Sequence, residues 1–245
     1  MSYRPFPLKE GVSFDLGVQF YIFVGTNSNT DQNIFVDLTT VKNIIFDLGG
    51  VIINIDYFKS IRELEQYCTA GHTIEYSQRA QSHLFDLFET GNSSPEEFRQ
   101  HLREAYHLEA TDEQIDEAWN AMLLDIPAER IELLRELGNK YRIFLLSNTN
   151  AIHMKRFNEM VEHNFTMPSL DSLFEQAYYS HLIGQRKPDA IVFEQILEQN
   201  GLKREETLFI DDSIQHIESA RKVGLQTLFL EPPLTINQVF RDAVS

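Results

Sequence analysis

The chain contains 245 residues, of which 42% are hydrophobic and 24% are charged, and its formal net charge is −16. This length and composition are typical of a globular protein with one large core, or with one core and a small accessory domain. The negative charge would repel nucleic acids and anionic membranes, so we expect neither as a partner. A small anionic substrate is compatible with it if a metal or local cations neutralise the site.

Cys68 is the single cysteine, which rules out an internal disulfide and favours a reducing compartment. The apolar run at residues 18–25 is much shorter than the ~20 residues that a membrane-spanning helix needs. Glu10 and Asp15 lie where a secretory signal would have a basic region followed by an apolar one. We therefore expect a cytoplasmic protein.

Residues 1–40 are rich in proline, glycine and turn-forming side chains, and we interpret them as an N-terminal extension whose role the sequence does not indicate. Two short strand-like segments lie between the breakers, at residues 19–24 and 33–38. A hairpin is one structure compatible with this pattern. The alternative is a translation start assigned upstream of the true one near Val41.

Helical patterns dominate the segment after the first strand, with no strand between them. Ser94 and Thr111 each begin a helix as N-cap residues, because a Glu or Gln follows three positions later, as a capping box requires. Apolar residues also recur at helical spacing at residues 58–68 and 76–88. Four consecutive helices predict a small bundle, which we place at residues 57–126.

Strands and helices alternate from residue 127 to residue 230. This alternation predicts right-handed crossovers and a parallel sheet. We therefore predict an α/β fold in which helices flank a Rossmann-like parallel sheet, formed by residues 41–56 and 127–245, with the helical bundle inserted after the first strand. The predicted strands after the first are residues 142–147, 176–180, 207–211 and 226–230, and the predicted helices are residues 127–138, 151–163, 189–200 and 214–223.

Side chains suited to chemistry fall at the ends of these strands. In the stretch at residues 42–53, Asp47 closes a short apolar run, and the glycines that follow, Gly49 and Gly50, permit a sharp turn and the close approach of a ligand. The carboxyl ends of parallel strands share one edge of a sheet, so groups far apart in sequence can meet there. The candidates in chain order are Asp47, Ser147, Asn148, Lys187, Asp211 and Asp212.

Several of these residues also have a purely structural interpretation. Asp211 and Asp212 could form a turn or a helix cap. However, adjacent like charges at a sheet edge are unfavourable unless a cation compensates them, and hard oxygen ligands suit Mg²⁺. Ser147 could equally be a helix cap. Lys187 would ordinarily be a solvated surface residue, but Pro188 holds it extended and gives its side chain a defined direction.

The order of acid, hydroxyl, lysine and paired acids resembles the haloacid dehalogenase superfamily, over residues 42–230. The helical bundle resembles the type-1 cap of that family, and we expect Trp119, Phe58 and Phe85 to form its core. The family's motifs stand here as Asp47-Leu48-Gly49-Gly50-Val51, Ser147-Asn148-Thr149, Lys187-Pro188 and Phe209-Ile210-Asp211-Asp212-Ser213.

The resemblance implies a magnesium-dependent phosphatase that acts on a small phosphorylated metabolite. Asp47 would attack the phosphoryl group and carry it as an aspartyl-phosphate, which water then hydrolyses. Ser147 and Lys187 would bind the transferring oxygens and stabilise the transition state, and Asn148 would position the substrate or the loop. The implied magnesium ligands are Asp47, the backbone carbonyl of Gly49, Asp211 and Asp212, the last directly or through another ligand.

Gly49 departs from the commonest pattern of this family, in which a second aspartate two residues after the nucleophile protonates the leaving group. General-acid catalysis is worth ~10²–10⁴ in rate, and its absence argues against a phosphomutase. The Asp-Leu-Gly-x-Val variant resembles a branch that includes sugar-1-phosphate phosphatases, so we expect a sugar phosphate or another ester with a good leaving group. Asp56 and His216 are alternative proton donors, although a structural role suits each of them better.

Two other functions are compatible with the motifs. A catalytically inactive scaffold could bind a phosphorylated ligand in a regulatory role, although intact Asp47, Lys187 and Asp211 argue against such a loss. The dehalogenases of the superfamily need no metal and carry an aromatic residue where Gly49 stands. The paired acids Asp211 and Asp212 therefore argue against that branch.

Overall fold

The computed structural model describes residues 21–27, 32–69, 74 and 83–240, and its first elements form a hairpin. Strands β1 (Tyr21–Asn27) and β2 (Gln32–Asp37) pair antiparallel, close to the segments predicted at residues 19–24 and 33–38. The other parts of the expected extension, residues 1–20 and 28–31, lie outside the described residues. Leu38 and Val41, which follow the hairpin, are buried in the main core.

A five-stranded parallel sheet forms the centre of the fold, which confirms the predicted α/β class. Its strands are β3 (Asn43–Phe46), β4 (Arg142–Ser147), β5 (Gln176–Tyr179), β6 (Thr207–Asp211) and β7 (Gln226–Phe229). They lie in the order β5-β4-β3-β6-β7, so β3 is the middle strand. Every residue of β3 and β6 is buried, as expected for parallel strands that are covered on both faces.

Four helices follow β3 in the described part of the chain, where the sequence predicts the helical bundle. They are α1 (Tyr57–Glu65), α2 (His83–Glu89), α3 (Pro95–Tyr106) and α4 (Asp112–Asn120). Ser94 and Thr111 form the predicted capping boxes at the starts of α3 and α4. The helix predicted at residues 76–88 is seen from residue 83 onward, and residues 75–82 lie outside the described ranges.

Aromatic rings fill the centre of these inserted helices. Trp119 and Phe85 stack with their ring centroids 5.4 Å apart, and Phe88 and Phe98 stack at 4.1 Å. Trp119 and Phe85 are therefore core residues, as predicted. The same prediction is wrong for Phe58, whose exposed fraction is 70%, because it lies off the face of α1 that packs inward. That face consists of Ser60, Ile61 and Leu64.

Helices cover both faces of the parallel sheet and give the fold three layers. They are α5 (Ala128–Gly138), α6 (Ala151–Phe165), α7 (Ser180–Ile183), α8 (Ala190–Asn200), α9 (Ile214–Val223) and α10 (Ile236–Phe240), and two 3₁₀ helices, Leu170–Leu173 and Arg204–Glu206, precede β5 and β6. Successive side chains of a strand point to opposite faces. Ile44 and Phe46 accordingly pack with α5, α6 and α10, whereas Ile45 packs with α8 and α9. Within the described ranges, no helix combines the length and apolar character that a bilayer crossing requires.

Candidate active site

The carboxyl ends of β3, β4 and β6 lie side by side, because β3 pairs in parallel with β4 on one side and with β6 on the other. Asp47 follows β3 directly, and Ser147 and Asp211 are the last residues of β4 and β6. All three side chains are buried. The strand-end residues that the sequence predicts to converge therefore do meet at one edge of the sheet.

Lys187 lies between two of the carboxylates. Its Nζ donates to Oδ1 of Asp47 at 2.6 Å and to Oδ2 of Asp211 at 2.7 Å, and the lysine is fully buried. The ring centroid of Phe209 lies 5.5 Å from the same ammonium group. Burial alone would lower the pKa of Lys187, but the charges of Asp211 and Asp47 outweigh burial and raise it above the usual value. Lys187 is therefore a cation fixed within the site.

Asn148 holds the backbone of Lys187. Its Nδ2 donates to the carbonyl oxygen of Lys187 at 2.8 Å, and its Oδ1 accepts from the N–H of Lys187 at 2.9 Å. Both ends of the amide are thus engaged, which corresponds to the loop-positioning role expected for Asn148. The neighbouring Ser147 Oγ lies 3.5 Å from the carbonyl oxygen of Asn148, at the limit of hydrogen bonding, so its hydroxyl can turn toward a ligand.

Asp211 is held by contacts on both carboxylate oxygens. The backbone N–H of Ser213 donates to Oδ1 at 2.7 Å, and Nδ1 of His216 lies 3.0 Å from Oδ1 and 2.9 Å from Oδ2. Burial alone would raise the pKa of Asp211, but Lys187 and His216 together lower it below its ordinary value. The carboxylate is therefore ionised and fixed in orientation.

Asp47, Asp211 and Asp212 form a cluster in which one oxygen of each carboxylate lies within 4.8 Å of the others. Burial, together with the charges of Asp47 and Asp211, raises the pKa of Asp212 to about 8. Burial also raises the pKa of Asp47, although Lys187 opposes it. The cluster thus holds more negative charge than Lys187 balances. A divalent cation with oxygen ligands fits this donor set and would supply the missing positive charge.

Gly49 and Gly50 each lie against the side chain of a different residue. A Cβ atom at Gly50 would lie 2.0 Å from Oδ2 of Asp212, and the φ of Gly50, +71°, is one that other residues rarely adopt. Gly50 therefore allows Asp212 to join the cluster. A Cβ atom at Gly49 would lie 2.4 Å from Cδ1 of Ile55, so Ile55 fills the space that a side chain at this position would need.

A cavity of about 80 Å³ lies against Asp47 and is lined by both the sheet edge and the inserted helices. It is smaller than the ~300–1,000 Å³ of ordinary small-molecule sites. A substrate that fits without movement of the helices must therefore be little larger than its phosphate group. Polar residues in its lining include Asp47, Glu89, Ser147, His153, Arg186 and Lys187.

The two alternative proton donors lie in different places. His216 lines the cavity and contacts Asp211. Asp56 instead caps α1: its Oδ1 accepts from the N–H of Phe58 at 3.0 Å, and its Oδ2 pairs with Arg62 at 3.0 Å. The structural role expected for Asp56 is therefore confirmed, and among these two only His216 reaches the site.

Three residues of the cavity wall, Glu89, His153 and Arg186, are absent from the sequence-based candidates. Burial lowers the pKa of His153 to about 4, so its ring is neutral. Its Nδ1 accepts from Asn150 at 3.1 Å, and its Nε2 donates to the carbonyl oxygen of Trp119 at 3.1 Å. His153 therefore ties α6 to the inserted helices. The sequence around His153 indicates only the start of a helix, so its contact with Trp119 could not be predicted without the structure.

Comparison with known proteins identifies relatives over most of the chain. Residues 44–230 match the family described as haloacid dehalogenase-like hydrolase. The chain is 28% identical over 187 residues to the D-ribitol-5-phosphate phosphatase of Bacteroides thetaiotaomicron, which covers 76% of this chain and 90% of that protein. It is also 28% identical over 211 residues to a sesquiterpene phosphatase of Aspergillus oryzae, which covers 84% of this chain and 98% of that protein.

A solved structure shows the same architecture. A HAD family enzyme from Bacteroides thetaiotaomicron, in complex with magnesium and inorganic phosphate, is similar with a TM-score of 0.71 and 34% identity over 79% of this chain and 96% of that chain. The family match contains the parallel sheet except for Asn43, and it contains every candidate residue from Asp47 to Asp212. The superfamily expected from the motifs is thereby confirmed, and this protein belongs to the haloacid dehalogenase-like hydrolase family.

Proposed function

We propose that this protein is a magnesium-dependent phosphatase that hydrolyses a small phosphate monoester, with Asp47 as the nucleophile. The observation that carries the proposal is the position of Asp47, which lies 2.6 Å from a fully buried lysine and within a cluster of three carboxylates, at the wall of a small cavity. The names of the two curated relatives, a polyol phosphate phosphatase and a sesquiterpene phosphatase, support the same reaction class.

The residues of the site would divide the reaction between them. Asp47 attacks the phosphorus atom in line, and the ester oxygen leaves with the electron pair of its bond to phosphorus, which gives an aspartyl-phosphate that water hydrolyses. Lys187 orients the attacking carboxylate and places positive charge beside the transferring oxygens. Ser147 donates its hydroxyl to a phosphoryl oxygen. Asn148 keeps the backbone of Lys187 in place through two hydrogen bonds.

Magnesium would be held by Asp47, the backbone carbonyl of Gly49, Asp211 and Asp212, the last directly or through another ligand. When bound, the ion neutralises the phosphate charge and orients the phosphoryl group for attack. The raised pKa of Asp212, about 8, supports this assignment because a cation would allow all three acids to ionise together.

The inserted helices would act as a cap that closes over the site. We assign residues 57–126 to this cap and residues 41–56 and 127–245 to the catalytic core. Two observations support the division: a separate hydrophobic cluster is formed almost entirely by residues 57–126, and this segment supplies Tyr57, Glu89 and Met122 to the cavity wall. Closure would exclude water and select the leaving group. We also propose a cytoplasmic location, in agreement with the single cysteine.

A sugar phosphate or polyol phosphate is the proposed substrate class. The similarity to a D-ribitol-5-phosphate phosphatase supports it. The second candidate function is a phosphate-binding scaffold with little activity, and the observation that favours it is the missing acid at Gly49.

The rate of hydrolysis is expected to depend steeply on the leaving group. Aryl phosphates with increasingly acidic phenols should be hydrolysed increasingly fast with Mg²⁺, because the position of the family's usual proton donor is a glycine. The measurement is kcat/KM for a series of substituted phenyl phosphates, with EDTA as the metal-free control. A kcat/KM that does not depend on the acidity of the phenol would show that another acid protonates the leaving group, and His216 would be the first candidate. No phosphate release from any member of the series would favour the binding scaffold.

Restoring the missing acid should be most effective when it is combined with a second change. In Gly49→Asp the new side chain would meet Cδ1 of Ile55, 2.4 Å from its Cβ, and Ile55→Val removes that atom. We expect the double variant to hydrolyse an alkyl phosphate roughly 10²-fold faster than the wild type, at the lower end of general-acid effects. Gly49→Asp alone should gain less. The comparison of both variants with Ile55→Val isolates the effect of the acid, and equal rates for the single and double variants would refute the steric argument.

A further inference from the structure

We propose that Glu89 and Arg186 form a subsite for the hydroxyl groups of the leaving alcohol, and that this subsite selects polyhydroxylated phosphate esters over apolar ones. The inference rests on the proposed phosphatase function and concerns the part of the substrate that is not transferred. Both residues line the same cavity as Asp47, one from the inserted helices and one from the core.

Arg186 is the neighbour of the proposed catalytic lysine in the sequence. It directly precedes Lys187, whose Nζ lies 2.6 Å from Asp47. Glu89 is the last residue of α2 and faces Arg186 across the cavity wall, with Oε2 of Glu89 3.4 Å from Nη2 of Arg186. The two charged side chains therefore lie beside the proposed site of phosphoryl transfer, Glu89 on the inserted helices and Arg186 on the core.

Both charged groups are largely withdrawn from water. The side chain of Glu89 is 9% exposed and that of Arg186 is 19% exposed. A second acid, Asp86, pairs with Nη1 of Arg186 from a more exposed position and orients the guanidinium. The Nε–H of Arg186 is buried and has no acceptor among the described residues. A buried N–H of this kind is costly unless a ligand or water accepts from it.

The chemistry of this pair matches hydroxyl groups better than any other common leaving group. A carboxylate only accepts hydrogen bonds and a guanidinium only donates them, whereas a hydroxyl does both. Neighbouring hydroxyls of a polyol could donate to Glu89 and accept from Arg186 at the same time. An apolar leaving group would cover the same charges without hydrogen bonds. Sites built to bind a substrate hydroxyl discriminate strongly against analogues that lack it.

The test compares two alkyl phosphates that differ in their hydroxyls, D-ribitol 5-phosphate and 1-pentyl phosphate, with p-nitrophenyl phosphate as an activated ester that reports the phosphatase activity of the wild type. For the wild type with Mg²⁺ we expect kcat/KM to be at least roughly tenfold higher for the polyol ester than for the pentyl ester. In Glu89→Gln this ratio should fall about tenfold, because a charged hydrogen bond is lost. The thermal unfolding midpoint should change little, which shows that the variant is folded.

Glu117→Gln is the matched control. Glu117 also joins the inserted helices to the core, through Arg156 at 2.8 Å, but it is 67% exposed and does not line the cavity. It should leave the polyol-to-pentyl ratio unchanged. Arg186→Lys provides a second variant, since it keeps the charge but loses the planar fork, and it should also lower the ratio.

The outcomes separate this inference from the proposed function. Hydrolysis of p-nitrophenyl phosphate with no preference for the polyol ester in the wild type would overturn the subsite and leave the phosphatase intact. An equal loss of preference in Glu89→Gln and Glu117→Gln would show that cap docking, and not the subsite, sets the preference. Failure of the wild type to release phosphate from all three esters would overturn the phosphatase function, and the subsite with it.

Discussion

Asp47→Asn is expected to remove phosphatase activity, with a loss in kcat of at least roughly 10³-fold. The amide is a poor nucleophile, so the proposed aspartyl-phosphate could not form. The carbonyl oxygen of Asn can still accept the hydrogen bond from Lys187 that Oδ1 of Asp47 accepts at 2.6 Å, so the fold should persist. The measurement is Mg²⁺-dependent phosphate release from p-nitrophenyl phosphate, together with a thermal unfolding midpoint.

Asp56→Asn is the control for this variant. Asp56 is nine residues further along the same segment and caps α1, a role that Asn fills nearly as well as Asp. It should retain both its stability and its activity. Activity that survived in Asp47→Asn but fell in Asp56→Asn would reverse the two assignments made for these acids.

Lys187→Met is expected to abolish activity and also to destabilise the protein when no divalent cation is present. The buried ammonium lies between Asp47 and Asp211, and its loss leaves two buried carboxylates without their counter-charge. Breaking a buried ion pair in this way typically costs about 3–5 kcal/mol. Activity should fall at least roughly 10³-fold, because the positive charge beside the transferring oxygens is lost as well.

Urea unfolding with and without Mg²⁺ distinguishes the two roles of this lysine. The ion should restore part of the stability of Lys187→Met, since it binds the folded state and neutralises the same acids, but it should not restore activity. Lys155→Met is the matched control, because Lys155 is 80% exposed and a long surface ion pair of this kind contributes little. A Lys187→Met variant as stable as the wild type without metal would contradict the charge balance described for the site.

The sequence predicts the sheet and its edge because both depend on local patterns. The β3 strand is a short apolar run that ends in an acid, and parallel strands place such ends together wherever they lie in the chain. The capping boxes at Ser94 and Thr111 are equally local, and both are formed. The convergence of Asp47 and Asp211 could therefore be predicted from element order, whereas the place of Lys187 was expected only with the help of Pro188 and the family resemblance.

Contacts between elements that are far apart in sequence could not be predicted from local patterns. The bond between the Asn148 amide and the Lys187 backbone and the pair of Glu89 with Arg186 join segments far apart in sequence, and neither has a local signature. The prediction for Phe58 was wrong because it relied on the apolar character of the side chain alone. Which face of a short helix is buried depends on the neighbours against which the helix packs. The close contact that Ile55 would make with a side chain at position 49 likewise could not be predicted without the structure.

The stacked contact between Trp119 and His153 has a practical consequence. Trp119 is the only tryptophan in the sequence. Its ring lies 5.0 Å from the imidazole of His153 at an angle of 14°, where the inserted helices meet α6. A movement of these helices away from the sheet would separate the two rings and wet the indole, whose emission is sensitive to both. The fluorescence of Trp119 would therefore report the proposed closure of the inserted helices over the site, and no label would be needed to follow it.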